Sequence, residues 1–285
     1  MSAQVATIDF HVTCECSQEC AYCWGPEGFV HPVDTATARR IVSRVKGVGA
    51  RRIVFTGGDP LQRTDIGALL RHAKGIGLQV ALSTTGDKLT TTFLEEFGVY
   101  IDLISLPLDG ATEEVSARTK RQGHLAAILR ALDWLRRYPQ IDVKLCTPVT
   151  QHNLADVPNI VRLAENYART TQARVFYNVF QAFPRSMRPR AWGELLVSDE
   201  EFAALERELA GHTLLHINFL SHATLDRLYV MIFPDGSLVV PSGPDFFVLG
   251  PFLDIEDFDA VLAASQFDAA KHLQHSCGWE KVAST

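Results

Sequence analysis

No apolar run in this 285-residue chain reaches the roughly 20 residues that a bilayer-spanning helix needs. The longest runs, such as Leu228–Phe233, have only the length of a strand. The first residues, MSAQVATIDFHV, lack a basic stretch followed by an apolar core, so no secretory leader is expected. A cytoplasmic location with no membrane partner follows as the expectation. Positive charge is also in short supply: 27 Lys and Arg face 33 Asp and Glu, a net charge of −6. That balance argues against nucleic acid as a partner, which would call for a basic excess. Internal repeats and low-complexity segments are missing too. The hydrophobic fraction of 47% and charged fraction of 21% are those of a globular chain with a substantial core.

Cysteine is scarce except in one place. Of six in the chain, four crowd into CECSQECAYCW (14–24), while Cys146 and Cys277 stand alone. A disulfide framework would spread its cysteines along a short secreted chain, so the cluster points to metal. Cys16, Cys20 and Cys23 have the spacing C-x3-C-x2-C. Three thiolates on a tight loop can hold three irons of a four-iron cluster and leave the fourth open to a ligand. The alternative is zinc held by all four thiols. Structural zinc takes two well-separated knuckles, and the Cys14-Glu15-Cys16 start is cramped for that geometry.

The rest of the pattern alternates short β-like runs with longer helical ones. Strands are expected at 5–12, 51–55, 78–83, 101–108, 141–149 and 173–180, with helical spacing between them. Six β-α units in succession predict an α/β fold, a partial (β/α)6 TIM-like barrel over residues 1–183. The cysteine loop, TGGDP (56–60), TTG (84–86) and DG (109–110) each follow a strand, so they fall on one rim, the end where such barrels do chemistry. Residues 184–285 read as an extension. Its SDEEF start (198–202) carries a capping box, and its hairpin turns at Pro234-Asp235-Gly236 and is expected to cap the mouth.

These motifs resemble the radical S-adenosylmethionine (SAM) superfamily. The resemblance rests on Cys16, Cys20 and Cys23, on Tyr22 just before the last of them, and on TGGDP, which is similar to the family's Gly-Gly-Glu-Pro. It implies a 4Fe-4S cluster on those cysteines and SAM chelated at the open iron. Reductive cleavage would then give a 5′-deoxyadenosyl radical that abstracts a substrate hydrogen. It also implies an external electron donor such as flavodoxin or ferredoxin. SAM contacts are implied for Gly57, Gly58, Asp59, Thr84, Thr85 and Ser105, and for Arg118 as partner of the SAM carboxylate. Asn153 fits a further common position, whereas Cys14 has no place in the pattern.

A second likeness, to viperin-like nucleotide-dehydrating members, runs through VFQ (179–181), SDEEF, LYVMIF and the late Gly-Trp, and matches Lys144 to a barrel lysine. The basic stretch that a triphosphate requires is thin here, and Asn178 stands where a basic residue is expected. The hairpin is similar to that of peptide-modifying relatives, but Ser242 replaces their cysteine, which argues against an auxiliary cluster. Cys146 lies two residues past Lys144, on the same strand face. A thiol there, or at Cys277, can return a hydrogen atom to a substrate radical from the opposite side. The expected activity is therefore epimerisation of a carbohydrate, aminoglycoside or related small molecule in specialised metabolism. Nucleotide dehydration or rearrangement is the alternative, and peptide modification a further one.

Overall fold

The computed structural model describes residues 5–23, 25, 31–185, 192–210 and 215–276. Its first part repeats one unit. β1 (Thr7–His11) leads through the cysteine loop to α1 (Thr35–Gly47). Then come β2 (Arg52–Thr56) with α2 (Ile66–Gly75), and β3 (Gln79–Ser83) with α3 (Thr91–Phe97). β4 (Leu103–Pro107) is followed by a single turn, α4 (Glu113–Ser116), and by α5 (His124–Leu135). β5 (Asp142–Val149), α6 (Val157–Thr170) and β6 (Val175–Gln181) complete six parallel strands.

The chain continues into α7 (Asp199–Leu209), β7 (Ile217–Leu220), the short α8 (His222–Leu225), β8 (Met231–Ile232), β9 (Ser237–Ser242) and β10 (Asp245–Pro251). It closes its described part with α9 (Phe258–Ala264) and α10 (Ala269–Ser276). Among the described residues, ten strands form one open sheet in the order β10-β9-β8-β1-β2-β3-β4-β5-β6-β7. β7 adds a seventh parallel strand beyond β6. The hairpin turns where expected, but β8 pairs with β1, Asp9 opposite Met231. It therefore lengthens the sheet at its first strand, and the elements after residue 183 share that sheet with those before it.

Alternation along the strands sets two faces. Ile8, Phe10, Ile53, Phe55, Val80, Leu82, Ile104, Leu106, Val143, Leu145 and Val179 are buried in one core with Ile41, Val42, Leu69, Leu70, Ile128 and Leu132 of the helices. The residues between them turn inward: Asp9 and His11, Thr56, Ser83, Ser105, Lys144 and Cys146, Asn178 and Asn218. Local signals start the helices. Asp34 accepts a hydrogen bond from the Thr37 amide ahead of α1, at 2.8 Å. Ser198 and Glu201 form the full capping box of α7.

Candidate active site

Four loops after strands meet at one rim and lock the cysteine loop in place. The Gly58 amide donates to Thr13 O at 2.8 Å, and the Asp59 amide to Glu15 O at 2.7 Å. A Cβ on Gly57 would stand 2.3 Å from Thr13 O, and one on Gly58 2.1 Å from Glu15 O. The two glycines are thus required by the close approach of the cysteine loop itself. Asp59 is fully buried, and its carboxylate accepts from Thr84 Oγ1 at 2.7 Å, Thr85 Oγ1 at 2.6 Å and the Leu61 amide at 3.0 Å. Its shorter side chain therefore has a structural job, and Thr84 and Thr85 share it.

From the loop after β3, Asp87 accepts from Ser17 Oγ at 2.5 Å and from Gln18 Nε2 at 2.6 Å. From the loop after β4, Asp109 accepts from the Tyr22 hydroxyl and, at 3.0 Å, from Thr119 Oγ1. Asn153 Nδ2 in turn donates to Asp109 O at 3.0 Å, so its amide braces that loop. None of Asp87, Asp109 or Gln18 stood out as a site residue in the sequence, although the DG dipeptide marked the rim.

The cation beside the cysteines is Lys120. Its ammonium lies 3.0 Å from Cys20 Sγ and 4.0 Å from Asp109 Oδ2, and 5.3 Å from the centre of the Tyr22 ring. Burial works against its charge, but Asp109 and Cys20 outweigh burial and hold it above the ordinary lysine range. Arg118 lies elsewhere: it is 48% exposed, pairs with Glu114 at 3.0 Å and donates to His152 O. The expected SAM-carboxylate partner is thus held by Glu114 and by the loop after β5, whereas Lys120, two residues on, reaches Cys20.

Cys20 is buried, Cys23 partly so, and Cys16 exposed. Burial raises the Cys20 thiol, with Lys120 opposing the shift. Among the described residues, no three His, Cys, Asp or Glu side chains converge as ligands of a single ion would. Thiolates on one zinc must all stand about 2.3 Å from it, whereas a four-iron cluster takes each thiolate on a different iron. The donor chemistry fits such a cluster in two further respects. The lysine offsets anionic charge at Cys20, and its own charge is met by Asp109.

Below the rim, Ser105 Oγ lies 3.4 Å from Cys146 Sγ across β4 and β5. Lys144 sits opposite Ser105 and Phe176, and Cys146 opposite Pro107 and Asn178. Asp9 faces them from β1. Burial raises its carboxyl to about 6, with Lys144 and Arg52 pulling the other way. His11, above it, is held neutral by burial, down to about 3, and its Nδ1 has no partner. Cys277 lies outside the described residues.

An open parallel barrel with a three-cysteine loop on its strand-end rim defines a class of radical enzymes. The Radical SAM superfamily model matches residues 10–164, and the chain belongs to that superfamily. The family uses a 4Fe-4S cluster and SAM.

Among its relatives is an S-adenosylmethionine-dependent nucleotide dehydratase of Selenomonas ruminantium, 23% identical, the match covering 95% of this chain and 98% of that one. An AdoMet-dependent heme synthase of Oleidesulfovibrio alaskensis is 26% identical over 68% of this chain. The chain spans about half the length of that synthase and 44% of a second nucleotide dehydratase, from Lacinutrix mariniflava. Among solved structures, Streptococcus suis SuiB bound to its precursor peptide superposes with a TM-score of 0.69 at 12% identity, over 95% of this chain and 66% of that one. The anSMEcpe structure with bound AdoMet gives 0.66 at 14%, over 93% and 83%. Both show the shared fold. No described helix is long and apolar enough to cross a membrane.

Proposed function

We propose that Cys16, Cys20 and Cys23 hold the cluster, that the rim formed by Gly57–Asp59, Thr84, Thr85 and Ser105 receives SAM, and that the enzyme epimerises a hydroxylated small molecule inside the barrel. In this reading residues 1–183 carry the cofactors, and residues 184–285 complete the substrate side. When bound, the cluster and SAM supply hydrogen-atom abstraction from an unactivated carbon.

The observation that carries the outcome is the Cys146 thiol, partly exposed on the inner face of β5 beside Ser105. Cys146 returns its S–H hydrogen atom to the opposite face of the substrate carbon, which inverts. The sulfur radical left behind regains one electron from an external donor such as flavodoxin or ferredoxin, and one proton from solvent. Asp9, Lys144, Asn178 and Asn218 line the same interior with hydrogen-bonding groups. They suit a polyol or aminosugar better than a triphosphate, which among these four would meet one ammonium, Lys144, and one carboxylate, Asp9. The cytoplasm is the expected setting, since both reductants belong there.

Anaerobic turnover in deuterated water with candidate sugars and aminoglycosides is the test. Deuterium at one inverted carbon is expected, lost in Cys146→Ala while 5′-deoxyadenosine still forms. Release of water from the substrate would sink the epimerase reading. It would support instead the second one, nucleotide dehydration, which the full-length likeness to the Selenomonas ruminantium dehydratase favours.

A further inference from the structure

We propose that Lys120 sets the reduction potential of the cluster through Cys20, with Asp109 as the counter-charge that fixes it there. The proposal rests on the reading of Cys20 as a cluster ligand. Lysine side chains are rarely buried, because the ammonium is strongly hydrated. Here the Lys120 side chain is 5% exposed and that of Asp109 fully buried. The ammonium is held between two anions-to-be, 3.0 Å from Cys20 Sγ and 4.0 Å from Asp109 Oδ2.

Its position is built rather than incidental. The Tyr22 hydroxyl, two residues beyond Cys20, donates to the same Asp109 oxygen, and Thr119 Oγ1 donates there at 3.0 Å. The Tyr22 ring also lies under the ammonium, 5.3 Å from ring centre to Nζ. The cysteine loop therefore grips the lysine's counter-ion and presents a face to the lysine itself. Asp109 Oδ1 has no hydrogen-bond partner, so Lys120 is the cation that balances this carboxylate. Moving it away would leave a buried charge uncompensated, a costly state.

A cluster on three thiolates gains negative charge when it takes up an electron. A fixed cation within hydrogen-bond reach of one ligand sulfur stabilises the reduced form more than the oxidised one, and low local polarity strengthens the effect. Lys120 thus raises the potential, making the cluster easier for a cellular donor to reduce. Asp109, one step farther from the sulfur, lowers it by less. Lys120 is a positioning residue in this scheme: it acts through Cys20.

The experiment is a potentiometric titration of the reconstituted cluster followed by electron paramagnetic resonance, with signals normalised to iron content. Lys120→Met is expected to cut the reduced fraction at a fixed donor potential at least tenfold, a downward shift of about 59 mV for a one-electron couple. Lys120→Arg should hold the wild-type potential. An unmoved potential in iron-loaded Lys120→Met overturns the proposal. If that variant also loses SAM affinity in equilibrium dialysis, the lysine serves the cofactor instead. If Lys120→Met cannot retain iron, Lys120→Gln decides: a potential equal to or above wild type overturns the proposal. A wild-type protein that takes up no cluster would overturn the ligand assignment beneath it, a separate and distinguishable failure.

Discussion

A Cβ on Gly58 would stand 2.1 Å from the Glu15 carbonyl oxygen and 2.7 Å from that of Cys14. No side-chain rotation relieves such a clash, because the obstacles are backbone. Gly58→Ala should therefore displace the cysteine loop, at a cost of about 1–3 kcal/mol. Iron analysis after reconstitution should show most of the cluster lost, and normal iron content would refute the clamp. Cys14→Ser should leave iron content unchanged, since three thiols remain in C-x3-C-x2-C. A one-quarter fall or more would restore Cys14 as a ligand. At this scale the sequence was legible in its spacing, as in the C-x3-C-x2-C run that carries the family resemblance. It was not legible where direction decides. Arg118 and Lys120 are two residues apart, and only the folded chain says which one reaches Cys20.

Elements depend on contacts that no local pattern announces. His272, near the middle of α10, accepts from the amides of Ala6 and Thr7 at 3.1 and 3.2 Å and reaches Leu228 O at 2.9 Å. One imidazole thus ties the last described helix to the first strand. Nε2 can accept only when it carries no proton, and burial lowers the affinity of His272 for one. The unfolded histidine titrates near about 6.5. The folded state therefore binds fewer protons than the unfolded state just below that pH. The stabilisation is complete above the unfolded value and declines as pH falls from there toward the lowered folded value. Denaturation midpoints of wild type and His272→Gln should differ most at pH 8 and converge as pH falls toward 5. A constant gap would mean that the histidine does not titrate in this way. The same non-locality hid two strands. β7 has four residues, mostly half-buried, and β10 is largely exposed. Neither shows the alternation that made β1–β6 readable, because each is stabilised by a neighbouring strand more than by its own buried face.

Across the whole molecule, the six alternating units were readable because each outward-facing strand residue enters one continuous core. The sheet order was not. A hairpin at the end of the chain pairs beside β1, more than 200 residues away in sequence, and turn chemistry cannot specify that partner. The inner face differs again: it is polar in a place where apolar packing would be more stabilising. Asp9 makes this explicit. Burial raises its carboxyl to about 6, against 3.8 for an unburied one, despite Lys144 and Arg52. The folded state then binds more protons than the unfolded state between these values. Stability from this group is present below about 4 and is lost as pH rises through 6. At pH 8 the charged carboxylate costs up to about 3 kcal/mol. Asp9→Asn should accordingly be more stable than wild type at pH 8 and gain nothing at pH 4, as read by urea denaturation at both. If the residue is kept for the substrate that the barrel encloses, the stabilised variant should also lose product formation while its iron content and SAM affinity stay at wild-type levels. Greater stability with full turnover would show that Asp9 has no part in the reaction.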